Sequence, residues 1–399
     1  MSTLFDDELR DEPHGKRREN SDTSPETRRH YEPEELIPEI MLSMVGGVGS
    51  MLTQRLIDRF GDAKSILAAP LDQLQAVEGI GPKIAKNISV ARSLCNPKRL
   101  IEQCRANGIS LIAKNDSRYP DLLRKIPDPP VFLFVKGEFR PEDDLSIAIV
   151  GTRHTTHYGR RQAERLASEL AQSGFTIVSG LARGIDGMAH RGALAANGRT
   201  IAVLGSGLLN VTPPEHLALA DEVIAHGALV SEYVPDMAPQ KGTFPQRNRI
   251  VSGLSLGVLI VEAPQKSGAL ITATQAAEQG RDVFAVPGPV DQLTSRGCHR
   301  LIRDGAILVE SADDLLEHLG PLAKPSSHAK KGHLIRHPAE LQLNDTEAKV
   351  LQQVGTSPTS IDGIITGTGL LPHQVLATLG VLEMRRLIRR AESNKVVRI

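Results

Sequence analysis

Apolar, β-branched runs alternate with helical stretches between residues 145 and 309 of this 399-residue chain. The runs are nearly continuous in aliphatic residues and cover residues 146–151, 175–180, 200–205, 228–232, 256–263, 282–288 and 306–309. Helical patterns over residues 159–173, 186–196 and 271–279 lie between them. Continuous apolar strands that alternate with helices are typical of βαβ units, whose parallel sheet is buried on both faces. The pattern therefore predicts an α/β, Rossmann-like, mostly parallel sheet with helices on both faces.

A helical pattern with an internal repeat precedes the sheet, between residues 36 and 108. Gly47 and Gly49 recur as Gly79 and Gly81, and each pair flanks one aliphatic residue and is followed by a helix. The repeat resembles the helix-hairpin-helix motif of small all-α, SAM-like domains. In that motif the glycines permit a tight turn, and amides at the next helix N-terminus face a phosphate. DNA contact, a compact helical scaffold and a protein interface all stay open for this region.

A third unit is expected at residues 342–399. Three helical segments (346–354, 360–366 and 372–386) and a short β-like end follow the order of a winged helix. The last sixteen residues hold six bases and one acid, which leaves duplex DNA and a protein both open as partners. The Pro-, Ser-, Lys- and His-rich residues 321–341 predict a linker, and the acidic residues 1–35 predict a disordered tail. The central domain then covers residues 109–320.

Composition and charge exclude several classes of protein. The chain has 47 basic and 47 acidic residues, so it does not coat nucleic acid through one large positive face. No apolar run reaches the roughly 18 residues of a membrane helix, so no membrane span is expected. The polar N-terminus does not resemble a secretory signal. Three cysteines without paired spacing fit neither a disulfide framework nor a zinc site, and they favour a reducing cytoplasm.

Candidate chemistry concentrates where the strands end. Residues 239–250, a segment interpreted as a loop, contain Lys241, Arg247, Arg249 and the aromatic Phe244 but no acid. Ligands of an open α/β sheet bind at the carboxyl ends of its strands, where glycines admit backbone donors and helix dipoles favour an anion. We therefore expect a broad anion site at this edge. Its candidate residues are Gly151, Arg153, Ser179, Gly180, Arg183, Gly184, Lys241, Phe244, Arg247, Asn248, Ser267 and Thr272.

Other kinds of site are weakly supported. The first loop lacks the G-x-G-x-x-G of a dinucleotide site and no P-loop occurs, so no cofactor is expected. No metal is expected either, because nothing nearby completes a site with His154 and His157. A nucleotide-processing hydrolase remains the alternative, since Glu262 and Asp186 lie near the same edge. We favour structural roles for both, a helix N-cap for Asp186 and an arginine partner for Glu262.

Motifs in fixed order resemble those of the DNA-processing protein A (DprA/Smf) family over about residues 42–399. They include Ile149-Val-Gly-Thr-Arg153, Ser179-Gly-Leu-Ala-Arg-Gly-Ile-Asp186, Phe244-Pro-Gln-Arg-Asn-Arg-Ile250, Ser267-Gly-Ala-Leu-Ile-Thr-Ala273 and Gly297-Cys-His-Arg-Leu-Ile302. Two departures are His299, where the family commonly has Asn, and Arg385-Arg386, where a Gly is usual.

The resemblance implies a single-stranded DNA-binding recombination mediator without catalytic activity. Such a protein protects incoming strands and loads the RecA recombinase during natural transformation. The resemblance also implies a cytoplasmic homodimer built through the central domain, with single-strand-binding protein as a further partner. The site roles it implies are phosphate contacts for Arg153 and Lys241, backbone donors at Ser179, Gly180 and Gly184, base stacking for Phe244, and loop fixing or DNA contact for Arg247 and Asn248.

Overall fold

The computed structural model describes residues 29–319, 343, 345–355, 358–384, 387–391 and 395–398. The predicted linker and the first 28 residues of the predicted tail lie outside the described residues. The last residues of that tail are folded, since Arg29 forms a β-bridge with Asp116 and Pro33–Leu36 is a short 3-10 helix. The folded chain therefore begins before residue 36.

The helical repeat is visible in the backbone. Gly47 and Gly79 have φ angles of 94° and 89°, a left-handed conformation that favours glycine. Helices begin at equivalent positions after the two turns, at Ser50 and Pro82. The helices of this region are α1 Ile37–Ser43, α2 Ser50–Phe60, α3 Ala63–Ala68, α4 Leu71–Gln75, α5 Pro82–Leu94 and α6 Pro97–Ala106.

The central region contains one mixed sheet in the order β1-β2-β6-β5-β4-β3-β7-β8-β9. The strands from β6 to β9 in this order are parallel, while β2 pairs antiparallel with β1 and with β6. The mostly parallel sheet predicted from the apolar runs is confirmed. Its strands are β1 Ser110–Ala113, β2 Phe132–Gly137, β3 Ser146–Val150, β4 Thr176–Ser179, β5 Thr200–Val203, β6 Ala228–Ser231, β7 Gly257–Ile260, β8 Asp282–Ala285 and β9 Ile307–Leu308.

Helices cover both faces of this sheet, as the continuous apolar strands require. The helices are α7 Asp121–Arg124, α8 His157–Gln172, α9 Ile185–Ala195, α10 Leu217–His226, α11 Thr243–Gly253, α12 Gly268–Glu278, α13 Arg296–Arg303 and α14 Ala312–Leu319. Strand β3 illustrates the division. Its Ile147 and Ile149 pack with α8, α9 and α14, while Ala148 and Val150 pack with α7, α11, α12 and α13.

The first helices share a core with the sheet. Leu36, Ile40 and Leu100 belong to one buried cluster with Phe132 of β2 and Leu204 after β5. The hydrophobic core is therefore continuous across the boundary expected at residue 108.

The C-terminal unit has the element order of a winged helix. Its elements are α15 Asp345–Gln352, β10 Thr359–Ser360, α16 Ile361–Thr368, α17 Pro372–Met384, β11 Ile388–Ala391 and β12 Lys395–Arg398. The strands β10, β12 and β11 pair in that order into a small antiparallel sheet. The short strands β10 and β11 were not predicted.

No single helix in the described ranges is long and apolar enough to cross a membrane. One bent pair, Ile361–Thr368 and Pro372–Glu383, passes by length and composition alone, with an angle of 114° between its helices. Ile364 and Val375 of this pair are buried in the winged-helix core.

Candidate nucleic-acid interface

A wide cavity opens at the carboxyl ends of the central strands. It has a volume of about 650 Å³, and we call it the main trough. Strand β3 lies beneath it with β4 on one side and β7 on the other, so the trough sits where the chain changes direction across the sheet. Such switch points are the usual ligand sites of open α/β sheets. The geometry therefore places the cavity where the sequence predicted an anion site.

The main trough brings most of the predicted site residues together. Those that line it are Gly151, Arg153, Gly180, Lys241, Phe244, Arg247, Asn248, Ser267 and Thr272. Ser267 caps α12, since its Oγ accepts a hydrogen bond from the Ala269 amide at 3.2 Å. Their contacts with a ligand stay a prediction.

Three predicted residues are not part of the trough wall. The Ser179 hydroxyl is buried and donates to the Ile149 carbonyl at 2.6 Å. Arg183 is exposed and forms an ion pair with Glu215. Gly184 has a φ of 79°, and a Cβ there would overlap the Thr152 carbonyl. These three residues therefore support the end of β4 and the loop that follows it. The sequence motif alone could not distinguish this structural role from contact with a ligand.

The segment from residue 239 to 250 is not a loop throughout, because α11 begins at Thr243. Of its three cations, only Lys241 is exposed to solvent. Arg249 is paired with Glu232 at 2.7 Å and with Asp128 at 3.0 Å. Arg247 is 4 % exposed. The segment itself contains no acid, but Arg249, which was not among the predicted site residues, is paired with acids from other parts of the chain.

Arg247 supports the floor of the main trough from below. Its guanidinium donates to the Val203 carbonyl and lies so close beneath Gly180 that a Cβ at that position would overlap it. Among the described residues, its Nε has no hydrogen-bond partner. A residue larger than glycine at position 180 would therefore clash with the Arg247 side chain, whether or not Gly180 also contacts a ligand.

Arg153 and Phe244 form a stacked pair in the trough wall. The Arg153 guanidinium carbon lies 5.3 Å from the centroid of the Phe244 ring, a cation–π distance. The ring also contacts Gly205, where an added Cβ would lie 2.8 Å from the Phe244 Cδ1 atom. The ring is thus in contact with both Gly205 and Arg153. A nucleobase would stack on the guanidinium plane or displace it, and both types of stacking occur in nucleic-acid complexes.

Lys266 is a trough residue that the sequence analysis missed. It is exposed, and it lies in the loop after β7 beside Ser267. The signal was available, because this loop follows a strand that ends at the same edge of the sheet.

Asp186 is the one carboxylate among the residues that line the main trough. The sequence analysis favoured Asp186 as the N-cap of α9. This was wrong, because Gly184 holds that position. Burial raises the pKa of Asp186, while Arg247, the Ala182 amide and Arg153 oppose that rise. Asp186 is 6 % exposed, and the Ala182 amide donates to its Oδ2 atom at 3.4 Å, so the carboxylate is held within the protein.

Glu262 has hydroxyl partners, so the expected arginine partner was wrong. Its carboxylate, 3 % exposed, accepts from the Thr155 hydroxyl at 2.7 Å and from the Thr156 amide and hydroxyl at 2.9 and 2.6 Å. The Thr294 hydroxyl lies 3.3 Å away. These donors fix the loop after β3 to the end of β7, and they leave the carboxylate outside the trough wall.

Glu262→Gln is expected to lower the free energy of unfolding by about 1–3 kcal/mol, because one acceptor oxygen becomes an amide donor that faces other donors. Urea denaturation measures the effect. Glu278→Gln, an exposed substitution on α12, is the matched control. Equal urea midpoints for the two variants would contradict this role of Glu262.

These features define a class of protein: an α/β protein with a cationic trough at its strand ends, a helical repeat before it and a winged helix after it. The family model described as DNA recombination-mediator protein A matches residues 110–320, and the DprA winged helix domain model matches residues 336–394. The chain belongs to the DNA recombination-mediator protein A family.

Individual relatives agree with the family match. The chain is 38 % identical to Protein Smf of Synechocystis over 376 residues, which cover 87 % of this chain and 94 % of the relative. It is 46 % identical to the DNA processing protein DprA of Bacillus subtilis over 222 residues, or 55 % of this chain and 75 % of that protein. The structure of DprA from Streptococcus pneumoniae has a TM-score of 0.61 at 32 % identity and covers 72 % of this chain and 98 % of that one.

Proposed function

We propose that this protein binds single-stranded DNA in the main trough and acts as a recombination mediator in the cytoplasm. The observation that carries the proposal is the trough wall, where exposed Arg153, Lys241 and Lys266 surround a floor of glycines and one buried carboxylate. Such a surface favours the binding of phosphates, because it combines cations with amides at strand and helix ends. The free cysteines Cys95, Cys104 and Cys298 are compatible with a reducing compartment.

A single strand fits this surface better than a duplex. The trough is concave and is lined by loops and by residues of α11 and α12, so none of the described elements that line it projects into a DNA groove. The pair of Arg153 and Phe244 offers a stacking surface that only unpaired bases can reach. Binding is then expected to depend little on sequence, because most contacts go to the backbone.

The test is a salt series with a fluorescent single-stranded oligonucleotide and with the duplex of the same sequence. We expect tighter binding of the single strand. Three phosphate contacts, from Arg153, Lys241 and Lys266, predict a slope of log K against log salt of about −2, since each contributes about −0.7. Equal or tighter duplex binding, or an affinity that does not change with salt, would contradict the proposal.

We propose that the trough has no catalytic function. A nucleotide hydrolase would need a carboxylate that reaches its substrate. Glu262 is held by threonine donors outside the trough wall, and Asp186 is buried beside Arg247 and Arg153. Incubation with a panel of nucleoside monophosphates and single strands should therefore yield no product. Turnover that is lost in Asp186→Asn would favour the hydrolase.

We propose further that the bound strand is passed to RecA and that the protein works as a homodimer built through the sheet domain, with single-strand-binding protein as an additional partner. The family membership supports this role. RecA filament growth on strands coated with single-strand-binding protein, measured with and without this protein, tests the proposal, and sedimentation gives the oligomeric state.

A further inference from the structure

A second cavity lies beside the main trough, between α12 and α13. Its volume is about 490 Å³, and we call it the second trough. Lys266, Ser267, Gly268 and Ile271 line both cavities. The two troughs therefore meet at the N-terminus of α12.

The meeting point is open and favourable to an anion. Gly268 is exposed, and a Cβ added there would meet no atom within 4 Å. Lys266 is exposed beside it, and the first turn of the eleven-residue helix α12 contains no acid. The amides and dipole at this helix N-terminus add to the charge of Lys266. A phosphodiester chain can thus cross from one cavity to the other without meeting a side chain at Gly268.

Helix α13, beside the second trough, carries three arginines. Arg296, Arg300 and Arg303 are spaced four and three residues apart on α13, so they share one face of the helix. All three are exposed, whereas Gly297 and Cys298 of the same helix are buried. Arg300 itself lines the cavity.

Arg300 has a competitor for a phosphate in Asp304, which also lines the cavity. Their Nε and Oδ2 atoms are 3.4 Å apart, and the two side chains are 65 % and 61 % exposed. Exposed pairs of this kind contribute little stability. A phosphate, which can accept two hydrogen bonds from a guanidinium, can therefore replace Asp304 as the partner of Arg300.

We propose that a strand bound in the main trough continues across Gly268 into the second trough, where Arg300 holds a further phosphate. This proposal rests on the proposed single-strand binding and extends the length of the site. The ligand is the continuing backbone of the same strand, since the two cavities are joined and the added contacts are cationic and not sequence-selective. Strands long enough to fill both troughs then bind more tightly than short ones.

The test compares two oligothymidylates, of about 4 and about 16 nucleotides, which span the common site sizes of single-strand binders. Gly268→Met places a side chain in the crossing and raises the helix propensity of that position, so the fold should be kept. Gly268→Met and Arg300→Ala should each weaken binding of the long strand about tenfold, as expected for loss of a charge-assisted contact. Arg300→Ala should change binding of the short strand less than about twofold, because Arg300 lines the second trough and not the main one. Gly268→Met, at the junction of the two cavities, should weaken the long strand more than the short one.

Two further variants complete the test. Asp304→Asn removes the competing carboxylate and should tighten long-strand binding without affecting the short strand. Arg105→Ala is the control, because Arg105 is also an exposed, acid-paired arginine but lies on α6, which packs against β1 at the opposite edge of the sheet. Thermal midpoints of all variants check that the fold is intact.

The outcomes separate the two proposals. If the wild-type protein binds strands but neither Gly268→Met nor Arg300→Ala reduces the advantage of the long strand, the extension into the second trough is wrong. If both variants weaken short and long strands equally, it is also wrong, because the crossing would then belong to the main trough. If the wild-type protein binds neither strand, single-strand binding itself is disproved, and the extension with it.

Discussion

The double variant Arg153→Ala/Lys241→Ala will bind single-stranded DNA about a hundredfold more weakly than the wild-type protein, because two charge-assisted phosphate contacts are lost. Arg153 follows β3 and Lys241 precedes α11, so the two exposed cations come from different walls of the main trough. Each lost phosphate contact should also make the salt slope shallower by about 0.7, or about 1.4 for the pair.

Arg153 has a second role that Lys241 lacks, since its guanidinium stacks on the Phe244 ring. Arg153→Lys keeps the charge but not the planar group. It should therefore keep the salt slope of the wild-type protein and still lose affinity, by an amount that is smaller in a Phe244→Leu background. A double-mutant cycle measures this coupling. Equal losses in both backgrounds would mean that the stacked pair does not contact the strand as a unit.

The control is Lys98→Ala/Arg99→Ala on α6, which removes the same charge from exposed positions near the far edge of the sheet. It corrects for the general effect of net charge on association. If the control and the trough variant lose affinity and salt slope equally, the main trough is not the binding site.

The features that the sequence predicted well are those that depend on local periodicity. The apolar runs gave the strands of the parallel sheet, because a strand buried on both faces must be apolar throughout. The repeat around Gly47 and Gly79 was recognisable, since a left-handed turn before a helix restricts both positions to glycine. The edge of the sheet that holds the trough followed from the order of strands and loops alone.

The features that the sequence could not supply depend on partners far apart in the chain. No acid lies near Arg249 within residues 239–250, yet Arg249 is paired with Asp128, which lies 121 residues away in sequence. Glu262 looked like an acid in need of an arginine, but the fold brings Thr155 and Thr156 to it across more than 100 residues. The closeness of Gly180 to Arg247 is likewise a packing contact between separate elements. Such contacts determine which charges remain for a ligand, so sequence alone could not tell which cations of residues 239–250 are available.

Arg247→Met will destabilise the protein by about 1–3 kcal/mol at neutral pH, the cost of leaving the buried Val203 carbonyl without its donor. Methionine can fill the apolar part of the space beneath Gly180, but it cannot donate to the Val203 carbonyl or offset the charge of Asp186. Urea denaturation gives the loss, and Arg160→Met, an exposed substitution on α8, is the control.

The pH dependence of this loss identifies its cause. Burial raises the pKa of Asp186, and Arg247 opposes the rise. A carboxyl group whose pKa is raised on folding costs stability as the pH climbs from its ordinary value, about 4, through the folded value. Without Arg247 the folded pKa of Asp186 rises further, so this cost is larger and extends to higher pH. The deficit of Arg247→Met should therefore shrink as the pH falls towards 4, the ordinary pKa of an aspartate.

Asp186→Asn in the Arg247→Met background should restore part of the stability at neutral pH and remove most of the pH dependence, because the amide needs no counter-charge. If the deficit is the same at every pH and Asp186→Asn restores nothing, the loss comes from packing beneath Gly180 and from the Val203 carbonyl alone. If the pH dependence appears as expected, Arg247 and Asp186 form a buried charge system that holds the trough floor in place. The exposed cations Arg153 and Lys241 then remain the groups available for phosphates.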